Sequence, residues 1–142
     1  MNILDTNVLS ELMKQSPSLV VVERLKRLDP AESFITSITV AELRLGVVSL
    51  PSGTRRDKLA AKLMRVNKNF AERTLPFDHA AAELYADLVA SRRRAGRPIS
   101  IPDAQIAAIA LSRNATLVTR NTRDFELCQL SLLNPWEQAL PA

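Results

Sequence analysis

The chain is poor in several residues that small proteins use for cross-links or catalysis. Among its 142 residues there is one cysteine, Cys128, and one histidine, His79. A single cysteine excludes an internal disulfide and every zinc site built from several thiolates. His79 and Cys128 have no neighbours in sequence that would make them a nucleophile pair. Aromatics are also few. Four Phe, one Tyr and one Trp make a poor surface for stacking bases, so Tyr85 and Trp136 read as core or interface residues. No apolar run approaches the ~20 residues of a membrane span. No basic leader precedes Ile3-Leu4, and an acid stands at residue 5, so no signal peptide is expected and a cytoplasmic location is.

The residues that are present describe an ordinary folded domain. A hydrophobic fraction of 46% with 24% charged residues supplies a core for a single domain over residues 1–142. There is no internal repeat or linker, and Pro51-Ser52-Gly53 is a loop. The net charge of +4 is unevenly spread. Between Arg44 and Lys68, seven basic residues face only Asp57, and between Arg92 and Arg123 seven face only Asp103. Each window carries +6 and the remainder −8. Such segregation suits a polyanionic partner, and it equally suits exposed helix faces.

Short apolar runs alternate with helical periodicity. Strands are expected at Ile3-Leu4, Ser33–Thr36, Thr116–Thr119 and Leu130–Leu133, with a weaker one at Thr74–Phe77. Helical stripes are expected from Val8, Leu9 and Leu12; from Leu19, Val22, Leu25 and Leu28; and from Ile38, Ala41, Leu45 and Val48. Further stripes follow from Leu59, Leu63, Val66 and Phe70; from Ala81, Leu84, Tyr85 and Leu88; and from Ile106, Ala107, Ile109 and Ala110. This alternation predicts an α/β fold whose parallel sheet is covered on both faces. Ligands of such sheets bind beyond the carboxyl ends of the strands, and Asp5 and Asn121 stand just past two predicted strands.

Four positions combine a structural and a chemical reading. Asp5-Thr6-Asn7 contains good helix N-caps. Thr39-Val40-Ala41-Glu42 has the spacing of a capping box. Asp103 follows Pro102 where a helix should begin, and an acid there offsets the helix dipole. Asn121 stands three residues before Asp124, as at a helix start. Taken together, Asp5, Glu42, Asp103 and Asn121 can all reach one sheet edge. Carboxylates gathered in one cleft repel unless a cation neutralises them. Oxygen ligands without His or Cys suit Mg²⁺, or Mn²⁺ as its substitute. An acidic metal site beside a basic surface fits hydrolysis of a nucleic-acid backbone.

Six segments in order resemble the PIN-domain ribonucleases, most closely the VapC-type toxins of VapBC toxin–antitoxin systems in their FitB-like subgroup. They are Ile3-Leu4-Asp5-Thr6-Asn7-Val8, Ser37-Ile38-Thr39-Val40-Ala41-Glu42-Leu43, Leu75-Pro76-Phe77-Asp78 and Pro102-Asp103-Ala104-Gln105-Ile106-Ala107-Ala108. The last two are Leu117-Val118-Thr119-Arg120-Asn121-Thr122-Arg123-Asp124-Phe125 and Asn134-Pro135-Trp136. The resemblance implies a three-layer α/β/α fold with a central, mostly parallel sheet of four to five strands. It implies Asp5, Glu42 and Asp103 as metal-coordinating acids, Asn121 as a further catalytic residue, and Thr6, Asn7, Thr119 and Asp124 in support. It also implies a Mg²⁺-dependent endoribonuclease that leaves 3′-hydroxyl and 5′-phosphate ends. A homodimer and a cognate VapB-like antitoxin are expected, with promoter DNA bound only through the antitoxin. Many PIN domains carry a fourth acid where this chain has Asn121, whose amide is the weaker ligand.

Arg92, Arg93 and Arg97 are candidate RNA contacts, although arginines ending a helix before Gly96 and Pro98 also suit a helix C-terminus. Two other functional classes stay open. One is a PIN-fold binding module of weak catalytic power, acting through antitoxin and promoter complexes. The other, less favoured, is a phosphatase with a nucleophilic aspartate. That chemistry wants an acid two residues after Asp5, where Asn7 stands, and a nearby lysine, yet none occurs after Lys68.

Overall fold

Three residues with an intermediate-buried-buried pattern, Asn2–Leu4, form strand β1 at the centre of a parallel sheet. A computed structural model describes residues 1–137 of the chain. Helices α1 (Thr6–Leu12) and α2 (Leu19–Leu25) follow, and a short 3-10 turn leads into β2 (Ser33–Thr36). Next come α3 (Ser37–Val48), α4 (Thr54–Asn69), β3 (Thr74–Leu75), α5 (His79–Arg94) and α6 (Ile101–Ser112). Strand β4 (Thr116–Val118), a 3-10 turn at Thr122–Phe125 and β5 (Ser131–Leu133) complete the described residues. All neighbours pair in parallel in the order β3-β2-β1-β4-β5. The chain builds outward from β1 on one side, then returns to its other side with β4. The gap between β1 and β4 is therefore the topological switch point, where open parallel sheets bind ligands.

Alternation along the strands splits the core into two layers. Ile3 and Leu117 point to one face, where Ala81 and Leu88 of α5 and the buried residues of α6 cover them. Leu4, Ile35 and Val118 point to the other, against Val8 and Leu9 of α1, Leu43 and Val47 of α3, and Leu63 of α4. Helix α6 buries Ala104, Ile106, Ala107, Ala108, Ile109 and Ala110. Four alanines there let its backbone approach both α5 and the sheet, where larger side chains would hold it away.

The structure shortens several predicted strands and moves two helical faces. Pro76 and Phe77 lie beyond β3, Thr119 beyond β4 and Leu130 before β5. In α2 the buried residue is Val21, while Leu19 is 79% exposed. In α3 the buried stripe is Thr39, Leu43 and Val47, and Leu45 is 64% exposed. The capping box at Thr39 and Glu42 is also replaced. Thr36 is the N-cap, and its hydroxyl accepts from the Thr39 N–H at 3.1 Å.

Candidate active site

Asp5 is the first residue past β1, and its backbone N–H still donates to Val118 of β4 at 2.9 Å. The register that pairs Leu4 with Val118 thus sets Asp5 beside Thr119. Both are buried, and the Thr119 hydroxyl donates to Asp5 Oδ2 at 2.8 Å. Asn7 Nδ2 donates to the same oxygen at 3.2 Å, and the Thr6 N–H donates to Oδ1 at 2.8 Å. Asp5 therefore caps α1 and is also held in one orientation at the switch point. Thr119 Oγ1 in turn accepts from the Asn121 N–H at 3.1 Å.

Glu42 reaches the site from the middle of α3. Its Oε1 accepts from the Thr6 hydroxyl at 2.7 Å, and Thr6 Oγ1 lies 2.9 Å from the Thr39 hydroxyl. Asp103 comes from the first turn of α6, whose N-cap is Ser100, so the Asp103 carboxylate is not needed as a cap. The Asn121 side chain makes no capping bond either. Only its carbonyl accepts from the Asp124 N–H, at 3.0 Å. Asp5, Glu42, Asp103 and Asn121 line one cleft of about 420 Å³, together with Lys14 and Arg120. His79 and Cys128 are elsewhere. His79 is exposed beside Glu83, and Cys128 is buried, which pushes its thiol pKa up.

Burial pushes the Asp5 pKa up to about 6; the hydrogen bonds from Thr119 and Thr6 oppose this, and the charges of Asp103 and Glu42 add to it. Burial likewise raises Asp103, against the Ser100 hydrogen bond and with the help of the Asp124 charge. Among the described residues no basic side chain forms an ion pair with Asp5, Glu42 or Asp103. A buried carboxylate facing two others without a counter-charge is a costly arrangement. A hard divalent cation relieves it, and the donors on offer are all oxygen. Among the described residues no three acids are already gathered into a chelating group.

A sequence profile of the PIN domain matches residues 3–128. The chain belongs to the PIN-domain family. This PIN domain is 40% identical to the VapC ribonuclease Y4jK of Sinorhizobium fredii, across 98% of its own length and all of the relative. It is 38% identical to toxin FitB of Neisseria gonorrhoeae, over 96% of its length and 99% of that protein. Its fold superposes on a chain from the FitAB complex bound to a DNA fragment with a TM-score of 0.92. That match has 35% identity and covers 99% of both chains.

The basic residues of this PIN domain are arranged differently from the sequence expectation. Arg92 is only 4% exposed and is no surface cation. Its guanidinium donates to the carbonyls of Arg97, Asp124 and Glu126 at 2.6, 2.8 and 3.0 Å, and to the Cys128 sulfur at 3.3 Å. Arg92 thus fastens the α5–α6 connection to the loop that bears Asn121. Arg97 is exposed but paired with Glu126 at 3.3 Å, and neither it nor Arg93 lines the acidic cleft. Asp124 acts on Asp103 through its charge and does not line the cleft.

The cations that do border the cleft are Lys14 and Arg120. A groove of about 560 Å³ continues from it, sharing Thr6, Lys14 and Glu42 and rimmed by Arg55, Lys58 and Lys62 of α4. Their place in the basic window from Arg44 to Lys68 was visible in sequence, but their proximity to Glu42 was not. Arg120 and Trp136 were missed as cleft residues. The available signals were the position of Arg120 between Thr119 and Asn121, and the presence of Trp136 in the last matching segment.

Proposed function

We propose that this PIN domain is the toxin of a type II toxin–antitoxin pair, a Mg²⁺- or Mn²⁺-dependent endoribonuclease silenced by a cognate antitoxin. One observation carries the reading: Asp5, Glu42 and Asp103 line one cleft at the edge of the sheet, and among the described residues none of them is ion-paired. The VapC ribonuclease and FitB relatives support it along nearly the whole chain.

Asp5, Glu42 and Asp103 would hold the divalent ion, with the Asn121 amide oxygen as a neutral fourth donor. When bound, such an ion supplies an activated water and neutralises charge growing on a phosphate. The chain's own residues do the rest. Thr119 and Asn7 hold Asp5 Oδ2 from one side, so the carboxylate does not swing when it is loaded. Thr6 takes one oxygen of Glu42 and leaves the other free for the cleft. The first turn of α6 brings Asp103 into the same cleft.

The groove beside the cleft supports a protein partner. Its lining includes apolar Met13, Leu43, Leu50 and Leu59 beneath the basic rim of α4. We infer that an antitoxin segment lies along it and ends over the acids. A homodimer, with promoter DNA contacted through the antitoxin, completes the assembly; the FitAB complex on DNA supports that part of the reading.

The test is cleavage of total RNA by the purified, antitoxin-free chain, with Mg²⁺, Mn²⁺ or chelator, alongside Asp103→Asn. Discrete fragments that need the ion and vanish in the variant are expected. Folded protein that cleaves nothing under any of these conditions overturns the nuclease and leaves a binding module.

A further inference from the structure

The acidic cleft contains one feature that metal coordination does not use. Arg120 follows Thr119 directly, and its guanidinium carbon lies 5.2 Å from the centroid of the Trp136 ring. A guanidinium stacked on an indole keeps its in-plane donors available while its orientation is restricted. The backbone of Arg120 is held from both sides. Its N–H donates to Asn7 Oδ1 at 3.2 Å, and its carbonyl accepts from Asn134 Nδ2 at 3.3 Å. Asn134 Oδ1 also accepts from the Trp136 N–H at 2.9 Å. One amide side chain therefore brackets both members of the stacked pair, and Trp136 is packed against the core layer of Leu4, Val8 and Val118.

The charge state of this pair is distinctive. Lys14, the other cation at the cleft, forms an ion pair with Glu11, whereas Arg120 forms none among the described residues, although its charge also acts on Glu11. A guanidinium cannot ligate a metal ion. At the mouth of an acid-lined cleft it can serve an anion that must come close to those acids.

We propose that Arg120, braced on Trp136, is the phosphate-binding residue of the cleft: it grips a phosphate of the RNA backbone next to the bond to be cut. This rests on the nuclease reading and adds the group that draws the polyanion toward the carboxylates. A fork of N–H donors matches two phosphate oxygens. Trp136 acts through Arg120 as a positioning residue, with one ring face given to the guanidinium.

The experiment measures binding of a labelled, short single-stranded oligoribonucleotide by anisotropy, in chelator so that cleavage does not interfere, from 50 to 200 mM salt. Wild type, Arg120→Ala, Arg120→Lys and Trp136→Phe are compared, with circular dichroism to verify folding. Arg120→Ala is expected to bind about 10-fold more weakly and to flatten the slope of log affinity against log salt by about 0.7. Arg120→Lys should restore the slope but not the full affinity, because the charge returns without the planar fork. Trp136→Phe should lose affinity while keeping the slope. Trp136 is the chain's only tryptophan, so quenching of wild-type fluorescence by the same RNA reports its arrival. Folded Arg120→Ala with unchanged affinity and slope overturns the proposal and leaves the nuclease reading intact. Wild type that neither binds nor cleaves RNA overturns both.

Discussion

Asp5 is positioned at a cost in stability. Its pKa in the folded chain, about 6, lies above its ordinary value of 3.8. The folded state therefore binds the proton more tightly than the unfolded one, and stability falls as pH rises from about 4 through 6. In chelator at pH 7, Asp5→Asn should be the more stable protein, by up to about 3 kcal/mol for two pKa units, less the cost of a disturbed hydrogen bond to Thr119 or Asn7. The gain should vanish by pH 4. Urea unfolding at the two pH values checks this, and a variant less stable than wild type at both would refute the assignment of cost. Arg92 gives the opposite case. Its donors serve three carbonyls and a sulfur, so Arg92→Ala should lose about 3 kcal/mol. Arg93→Ala on the exposed side should lose under about 0.5 kcal/mol. Equal losses would show that the buried guanidinium clasp is not what stabilises this corner.

Among the elements, α3 separates what the sequence tells from what it leaves open. Ile38, Val40, Ala41, Leu43, Leu45, Val47 and Val48 are apolar nearly all round the helix. Periodicity therefore does not choose between the Leu45 stripe and the buried Thr39-Leu43-Val47 stripe. The choice is made by tertiary packing, with Leu43 and Val47 set against Val8 and Leu9 of α1 and Leu63 of α4, which the periodicity of α3 alone does not reveal. Leu43 is 8% exposed and Leu45 64%. Leu43→Ala should cost about 2–4 kcal/mol and Leu45→Ala under about 0.5 kcal/mol, as read from denaturation midpoints. The end of α5 was easier to read. Arg92-Arg93-Arg94-Ala95-Gly96-Arg97 predicts a left-handed glycine cap, and Gly96 has φ 71°. Its N–H bonds Arg93, and that of Arg97 bonds Arg92, the paired pattern of a Schellman turn. Local rules suffice there because every partner lies within six residues.

At the scale of the molecule, the sheet order β3-β2-β1-β4-β5 brings together acids from three elements separated along the chain. The fold class was legible from alternating strand and helix patterns, and Asp5 and Asp103 stand beside a recognisable strand end and helix start; Glu42, in the middle of α3, joins their cleft only through the tertiary fold. The Arg120–Trp136 pair was not legible, because it brings together residues on either side of β5; nor was the groove along α4, which forms only where α1, α3 and α4 pack together. A cation shared by all three acids should stabilise the whole fold. Mn²⁺ at a hundredfold excess over its Kd should add about 2.7 kcal/mol to the unfolding free energy, and Asp103→Asn should abolish that increment. Thermal unfolding with and without the ion tests this independently of any cleavage assay. A melting temperature indifferent to Mn²⁺ would count against the metal site.

The contact between Thr119 and Asp5 spans 114 residues. At ribosomal rates of 5–20 residues per second, Asp5 is made on the order of ten seconds before the hydroxyl that orients it. Throughout that interval β1 has no β4 beside it, and the carboxylates have no common cleft. A growing chain therefore carries Asp5, Glu42 and Asp103 in an unassembled form, and the cleft they line is complete only once the last strands have been added.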